Sequence, residues 1–433
     1  MYFFSKQYIK HGTAIIKGKT FNYSFFDDCF DFVPTKDLSK LKSWKPFKPK
    51  DLKKLNVVCH PFGEEDIVAE MIGTHDSYPS YNHSLRCFYE KLFIHREHYT
   101  IDALMFSGPS VDQLVQNITL RREIEKGTDL QKVSLLSSFS LFGKQCDLTT
   151  ITVLNNDDEC EIGFKSTICF HFVNSCLTKE EAFSLYEAFI RLTQFLGYRH
   201  DIYFSCDTFE TRGDSVYPNG SIYLPIISEK NIDRTSKLIS LESVLPIIGD
   251  LLQFVIDKNI VPLFIPNKKS ISFSDSYIIA TSWAQMVFKQ IYIPSNPNYT
   301  IRRKKAYDNA TGKNISFKDQ LSEMIVDSFS YISDFAGIAF PVMLSNINVN
   351  QYTSEDLPKR LKTVRNAIAH GSTNPGDYDY THLDLTILLC AIYSAIFKKR
   401  FGLDDAHLKL ALSELFFDST EVFSQWQELR NNE

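Results

Sequence analysis

The spacing of apolar residues changes near residue 230, and this change limits the possible folds more than any other feature of the chain. Upstream, short β-prone runs such as 12–18 and 21–26 are bounded by Gly, Asn and Asp, which is typical of strands joined by turns. Downstream, apolar residues recur every three to four positions, the spacing of amphipathic helices. We therefore predict an α+β fold of two domains: a β-rich, mostly antiparallel domain over residues 1–230 and an all-α domain over 231–433.

One helix is predicted within the β-rich half. Thr178 precedes Glu180 and Glu181, so Thr178 is the predicted N-cap, and Gly197 is the predicted end of the helix. Further strands are predicted at 55–59, 90–94, 103–106, 149–154, 166–172, 202–206 and 221–225.

The second half is predicted to be a series of helices. Pro246 should kink or restart the first helix, and Pro341 should kink or end a later one. Pro358 suits the first turn of a helix that starts near Ser354. The predicted helices cover 238–256, 276–291, 317–344, 354–371, 381–400 and 404–429.

Composition agrees with two folded domains and excludes several classes of protein. A chain of 433 residues, 44% of them hydrophobic, can fill two cores. The net charge of −5 leaves no global basic field to attract nucleic acid, so such binding needs a local patch. The nine cysteines are odd in number and include no CxxC pair, which predicts reduced thiols and neither a disulfide framework nor a zinc site.

Membrane and nucleotide-cofactor signals are also missing from the sequence. The first residues lack a basic segment followed by an apolar one, and the longest apolar stretch, 244–266, is interrupted by Asp250, Asp257 and Lys258. No phosphate-binding glycine loop of the Walker or GxGxxG type is present. We therefore predict a cytoplasmic protein with no membrane segment, no metal and no cofactor.

Arg365, Asn366 and His370 form the one compact grouping of residues suited to acid–base chemistry and anion stabilisation. On a helix, Asn366 and His370 share the exposed face, whereas Arg365 lies about 140° from His370 at the margin of the buried stripe. An imidazole moves protons near neutral pH, and a guanidinium offers a planar, permanent cation to phosphate oxygens. These are the groups that RNA cleavage by its own 2′-hydroxyl requires, and neither role needs a metal.

A structural interpretation of the same residues stays open at this point. A histidine at a helix end often caps carbonyls, an arginine at a core margin often pairs with a carboxylate, and the Arg-x4-His spacing also arises by chance. The separation of about 140° further indicates that one straight helix points the side chains of Arg365 and His370 in different directions. A second copy of the chain would bring such groups together more easily.

The string Leu361-Lys-Thr-Val-Arg-Asn-Ala-Ile-Ala-His-Gly371 resembles the signature of the HEPN superfamily. That signature is an Arg followed by a polar residue and then by a His near a helix end, with four to six residues between the Arg and the His. The long helix before the motif and the apolar helix after it also resemble that family's bundle, over about residues 315–430. The order of a β-rich domain followed by this bundle is similar to the ApeA-like branch of bacterial anti-phage proteins.

The resemblance implies a metal-independent endoribonuclease that acts as a homodimer, with two motifs meeting across a two-fold axis. By position, Arg365 would stabilise the transition-state phosphate, His370 would handle the proton and Asn366 would be the accessory polar residue. RNA, with tRNA or mRNA as candidates, would be the substrate in abortive infection. The N-terminal domain would sense a phage-derived trigger or restrain the nuclease.

Two other functions remain open on the sequence. An inactive HEPN module could bind a nucleotide or a protein partner and dimerise. Alternatively, the β-rich domain could bind a carbohydrate or another ligand, with an inert helical tail. Expression toxicity and metal dependence of RNA cleavage would discriminate between these functions and a ribonuclease.

Several basic residues are predicted to contact the RNA backbone, the alternative for each being a solvated surface. They are Lys359, Arg360 and Lys362 on the motif helix and Arg302, Arg303, Lys304 and Lys305 in a predicted loop. Two further patterns are interpreted as structural: His95 and His98 are predicted to lie on the surface, and the alternating pair Cys169 and His171 to lie on a mainly apolar strand.

Overall fold

The fold is described from a computed structural model of the chain. The described residues are 11–16, 18–26, 29–35, 54–62, 65–73, 75–77, 85–115, 131–155, 163–202, 204–212, 215–224, 237–257, 273–292, 294, 316–339, 356–370 and 381–416. By its contacts the chain divides into two compact units, one of residues 1–190 and 201–234 and the other of residues 191–200 and 235–433.

Within the described ranges, fourteen strands form one sheet in the first unit, and every strand pair is antiparallel. The strands are β1 His11–Ile16, β2 Lys19–Phe25, β3 Cys29–Pro34, β4 Lys54–Pro61, β5 Ile67–Ile72, β6 His75–Ser77, β7 Leu85–Phe88, β8 Lys91–His95, β9 Ala103–Ser107, β10 Gln131–Leu141, β11 Lys144–Asn155, β12 Gly163–Phe172, β13 Ser205–Arg212 and β14 Ser215–Tyr223. Their order across the sheet is β10-β11-β12-β9-β13-β14-β8-β5-β4-β1-β2-β3-β7-β6. The predicted antiparallel sheet is therefore confirmed.

Some strands differ from the prediction. The strand predicted at 221–225 begins at Ser215, and the one predicted at 202–206 runs over Ser205–Arg212. Five strands were not predicted: β3, β5, β6, β7 and β10. Strand β10 is rich in serine, so its polar residues obscure the alternation of apolar and polar side chains. A short helix, α1, also lies at Pro109–Leu114.

Helix α2, Lys179–Gly197, begins at the predicted cap. The Thr178 hydroxyl accepts the Glu181 N–H at 3.2 Å, and the Glu181 carboxylate accepts the Thr178 N–H at 2.7 Å. This reciprocal pair is a capping box. In the first unit the helix buries Phe189 against Phe106 and Phe170 of the sheet, at ring-centroid distances of 4.7 and 5.4 Å.

The second unit is helical over its described residues. Its elements are α3 Leu241–Val244, a 3₁₀ turn Leu245–Ile247, α4 Ile248–Ile256, α5 Phe273–Val287, α6 Phe317–Ala339, α7 Leu357–Ala369, α8 Thr381–Ser394 and α9 Asp405–Phe416. Helices α5 and α8 continue as π-helices over Phe288–Tyr292 and Ala395–Arg400. Pro246 sits in the 3₁₀ turn, so the predicted restart is confirmed. The predicted ends at 344 and 429 and the Pro341 kink lie outside the described residues.

Helix α8 is the centre of this unit. Every residue from 387 to 397 is buried, as expected of a helix that is apolar on all sides. It packs against α5, α6 and α9, and α7 packs against α5 and α6. Among the described residues, no helix is both long enough and apolar enough to cross a membrane.

Candidate functional site

The candidate site lies on α7, whose local sequence explains its position. Pro358 occupies the first turn, where its missing N–H costs nothing. Leu357, Leu361 and Val364 are buried against the bundle. The helix ends at Ala369, and the backbone N–H of the C-cap residue His370 donates to the Asn366 carbonyl at 3.0 Å.

The exposed face of α7 carries two of the three motif residues. Asn366 and His370 are both exposed, as predicted. Of the predicted core stripe, Leu361 and Val364 are buried, but Ile368 is only half-buried. The imidazole of His370 is thus open to solvent at the end of a helix.

Arg365 is half-buried at one margin of the core stripe. Its guanidinium carbon lies 4.8 Å from the ring centroid of Phe317, the first residue of α6. A cation–π contact of this kind holds the side chain while leaving N–H donors for a further acceptor. Within the described residues, no carboxylate forms an ion pair with Arg365.

Arg360 lies at the other margin and already has a partner. Its Nε donates to the Asp384 carboxylate of α8 at 3.1 Å, and Asp384 is fully buried. Of the basic residues proposed to contact RNA, Arg360 is therefore the least available, because its charge is compensated inside the bundle.

The remaining basic candidates fall into two groups. Lys359 and Lys362 are exposed on the same side of α7 as Asn366 and His370. Arg302, Arg303, Lys304 and Lys305 lie outside the described residues. The described basic candidates available to an anion are thus Lys359 and Lys362.

Asp384 and Phe317 were missed by the sequence analysis, although one signal was available. Asp384 is the single carboxylate in the α8 sequence THLDLTILLCAIYS. A carboxylate in a helix that is otherwise apolar needs a buried partner, and Arg360 supplies it. No comparable signal identifies Phe317 as the residue beneath Arg365.

In the sheet unit the surface prediction for His95 is wrong. His95 is 3% exposed, its Nδ1–H donates to the Arg96 carbonyl at 2.6 Å, and its Nε2 lies 3.2 Å from a Glu70 carboxylate oxygen. Lys179 binds the other Glu70 oxygen. Burial alone would raise the pKa of Glu70, but the hydrogen bond and charge of Lys179, assisted by His95, lower it. His98 is exposed, as predicted.

The Cys169 and His171 pair gains no catalytic support. Cys169 is buried, and burial raises the pKa of its thiol to about 12. A thiol with that pKa is protonated near neutral pH and is a poor nucleophile. In the part of the chain that the structure describes, no three His, Cys, Asp or Glu side chains are grouped so that they could hold a metal ion.

Comparisons with family models, with curated proteins and with solved structures found no match to the chain. The geometry of α7 is therefore the main basis for a functional assignment.

Proposed function

We propose that the chain is a metal-independent endoribonuclease of the HEPN type, most similar to the ApeA-like branch, and that it acts in bacterial anti-phage defence by abortive infection. The helical unit would cleave RNA as a cytoplasmic homodimer. The sheet unit would respond to a phage-derived trigger or restrain the nuclease.

The observation that carries this proposal is the arrangement of three side chains on α7. His370 and Asn366 face solvent, and Arg365 stands on an aromatic ring without an ion-pair partner in the described part of the bundle. Buried polar groups are satisfied within the fold, whereas Asn366 and His370 are exposed and Arg365 is only half-buried. These side chains instead keep their polar groups available to an anionic ligand.

The proposed chemistry is an internal displacement at phosphorus. The ribose 2′-oxygen forms a bond to phosphorus, and the bond from phosphorus to the 5′-oxygen breaks, which yields a 2′,3′-cyclic phosphate and a 5′-hydroxyl. The 2′-hydroxyl loses a proton and the leaving 5′-oxygen gains one, and His370 carries this proton transfer, which is worth roughly 10²–10⁴ in rate. Arg365 stabilises the additional negative charge on the phosphate oxygens. Asn366 holds the phosphate or the imidazole.

The angular separation of these groups supports a homodimer. Arg365 and His370 lie about 140° apart around one helix, so a single α7 presents them to different places. Two copies of α7 facing each other would place the arginine of one protomer beside the histidine of its partner.

The decisive experiment incubates the purified chain with RNA in EDTA and identifies the ends of the products. We expect 2′,3′-cyclic phosphate ends from the wild type and a loss of roughly 10²–10⁴ in rate for His370→Ala. His407→Ala is the matched control, because His407 is a partly exposed histidine of the same unit that is bonded to Asp404 at 2.6 Å. A strict Mg²⁺ requirement, or equal rates for wild type and His370→Ala, would contradict the proposal.

The defence role needs a test in cells. Wild type and His370→Ala are compared for growth under induction and under phage challenge, with the two proteins at matched expression levels. Equal growth in both conditions would remove the support for a toxic nuclease. RNA or nucleotide binding without cleavage would then favour the inactive HEPN module.

A further inference from the structure

The starting observation is a buried carboxylate beneath the motif helix. Asp384 has no exposed surface, and its Oδ2 accepts a hydrogen bond from Arg360 Nε at 3.1 Å. An isolated buried carboxylate is very unfavourable, so this pair must persist whenever the bundle is folded. It joins α7 to the central helix α8.

A third helix contributes to the same place. Tyr277 of α5 is fully buried, and burial, reinforced by the nearby Asp384 charge, raises the pKa of its phenol well above the usual range, while Arg360 acts in the opposite direction. The phenol therefore stays protonated beside the pair. Arg360 thus reaches into a polar position that α5 and α8 build together.

Stability alone does not explain this arrangement. Replacing a buried ion pair by apolar side chains of similar size is often neutral or stabilising, and the best-attested use of such pairs is to fix register or orientation. The apolar contacts of α7 are few: Leu357, Pro358, Leu361 and Val364 are its buried residues. Apolar contacts are not directional, so they constrain the rotation of the helix about its axis less than a hydrogen-bonded ion pair does.

The two arginines of α7 are placed where they can prevent that rotation. Counted at 100° per residue, Arg360 and Arg365 lie about 140° apart, on opposite margins of the buried stripe. Arg360 is bonded to α8, and Arg365 stands on the Phe317 ring of α6. Between them they fix the direction of the opposite face, which carries Asn366 and His370.

We propose that Asp384 is a positioning residue for the α7 site, because its bond to Arg360 sets the rotation of α7 and thereby the direction of His370. This inference rests on the ribonuclease function proposed above. On a helix about 10–12 Å wide, a rotation of about 20° moves the tip of a side chain by about 2 Å. A displacement of about 1 Å can cost roughly 10²-fold in rate, so a small loss of rotational control should be visible in catalysis.

The test compares Asp384→Asn with the apolar double variant Arg360→Met/Asp384→Leu. The double variant removes the pair without leaving an uncompensated buried charge, so it should stay folded even if the single variant does not. Asp405→Asn is the matched control, because Asp405 forms an exposed ion pair with Lys398 elsewhere in the same unit. For each protein, kcat, KM, the melting temperature and the imidazole ¹H–¹⁵N signal of His370 are measured.

We expect kcat of the double variant to fall at least about 10-fold with KM and melting temperature close to wild type, and the His370 signal to shift or broaden. Asp405→Asn should change none of these. Wild-type kcat and an unchanged His370 signal in a folded double variant would overturn the positioning role while leaving the ribonuclease intact. If wild type cleaves no RNA but the His370 signal still responds to the loss of the pair, the proposed function fails and the positioning role stands.

Discussion

The two units use histidine in opposite ways. In the sheet unit, His95 is buried between the rings of Phe93 and Tyr99, at centroid distances of 4.6 and 4.3 Å, and both of its nitrogens face acceptors. In the helical unit, His370 is exposed at a helix end, and no ring contact or side-chain hydrogen bond to another described residue is found.

This difference separates a structural histidine from one that is available for chemistry. The nitrogens of His95 contact the Arg96 carbonyl and the Glu70 carboxylate inside a buried network, so the ring is not available to a substrate. His370 is exposed, so a ligand can reach its ring without disrupting a buried network. A carboxylate close to a histidine is therefore not by itself a sign of an available ring, because the Glu70 carboxylate holds His95 in place.

After His370 itself, the largest effect is expected at Arg365, which lies on the same helix. Arg365→Ala should lower kcat by roughly 10²–10³, the usual loss on removing one transition-state donor. Arg365→Lys should give an intermediate loss, because lysine keeps the positive charge but lacks the planar guanidinium that can donate two hydrogen bonds to one phosphate. The readout is kcat on a defined RNA in EDTA.

A matched arginine controls for loss of the aromatic contact. Arg400 lies 5.6 Å from the Phe254 ring in the same unit, and Arg400→Ala should leave kcat close to wild type. Equal losses for the two alanine variants would indicate a general effect on the bundle and not a role at phosphate.

His95→Leu should show the opposite profile, a loss of stability without a specific loss of catalysis. Glu70 would keep Lys179 but lose one buried partner, which should cost about 1–3 kcal/mol in the free energy of unfolding. Urea unfolding measures this cost, and His98→Leu, at an exposed neighbouring position, is the control. A stable His95→Leu protein with strongly reduced kcat would reverse the contrast between the two histidines.

Asp207 provides a pH test confined to the sheet unit. Burial raises the pKa of Asp207 to about 6 from 3.8, although a hydrogen bond from Ser221 lowers it. The folded state holds the proton of Asp207 more tightly than the unfolded state does. The contribution of Asp207 to the free energy of unfolding is therefore complete below about pH 4 and is lost as pH rises to about 6. The difference in unfolding free energy between wild type and Asp207→Asn should therefore shift by roughly 3 kcal/mol between pH 4 and 7.5, in favour of wild type at the acid end.

Ser221→Ala sharpens the same measurement. It removes the hydroxyl that lowers the pKa of Asp207, so the pH dependence should grow in this variant. A pH-independent difference between wild type and Asp207→Asn would show that the carboxyl is not protonated preferentially in the folded state.

The smallest expected effect concerns Lys359 and Lys362. Their joint replacement by Ala should weaken RNA binding and reduce the slope of log Kd against log salt by about 0.7 for each lost phosphate contact. Titrations of catalytically silent His370→Ala with RNA at several salt concentrations measure it. Lys398→Ala is the control, since Lys398 is paired with Asp405. An equal change in slope for Lys398→Ala would argue against a specific RNA-binding surface on α7.

Local features of the fold could be predicted because they depend on residues close together in sequence. The capping box of Thr178 and Glu181, the restart at Pro246 and the exposed face of Asn366 and His370 all arise within one or two helical turns. Strand β10 escaped prediction because its serines obscure the alternation on which a strand assignment relies.

The amino-acid sequence by itself determined the secondary-structure class of each half and the face of α7 that carries Asn366 and His370, since both follow from short-range periodicity. Only the tertiary structure decided that Glu70, Lys179 and His95 meet, that Asp384 bonds Arg360, and that Phe317 lies under Arg365. These contacts join residues 24 to 109 positions apart. Such contacts depend on which strands and helices become neighbours, and the secondary-structure propensity of a short segment does not determine its neighbours.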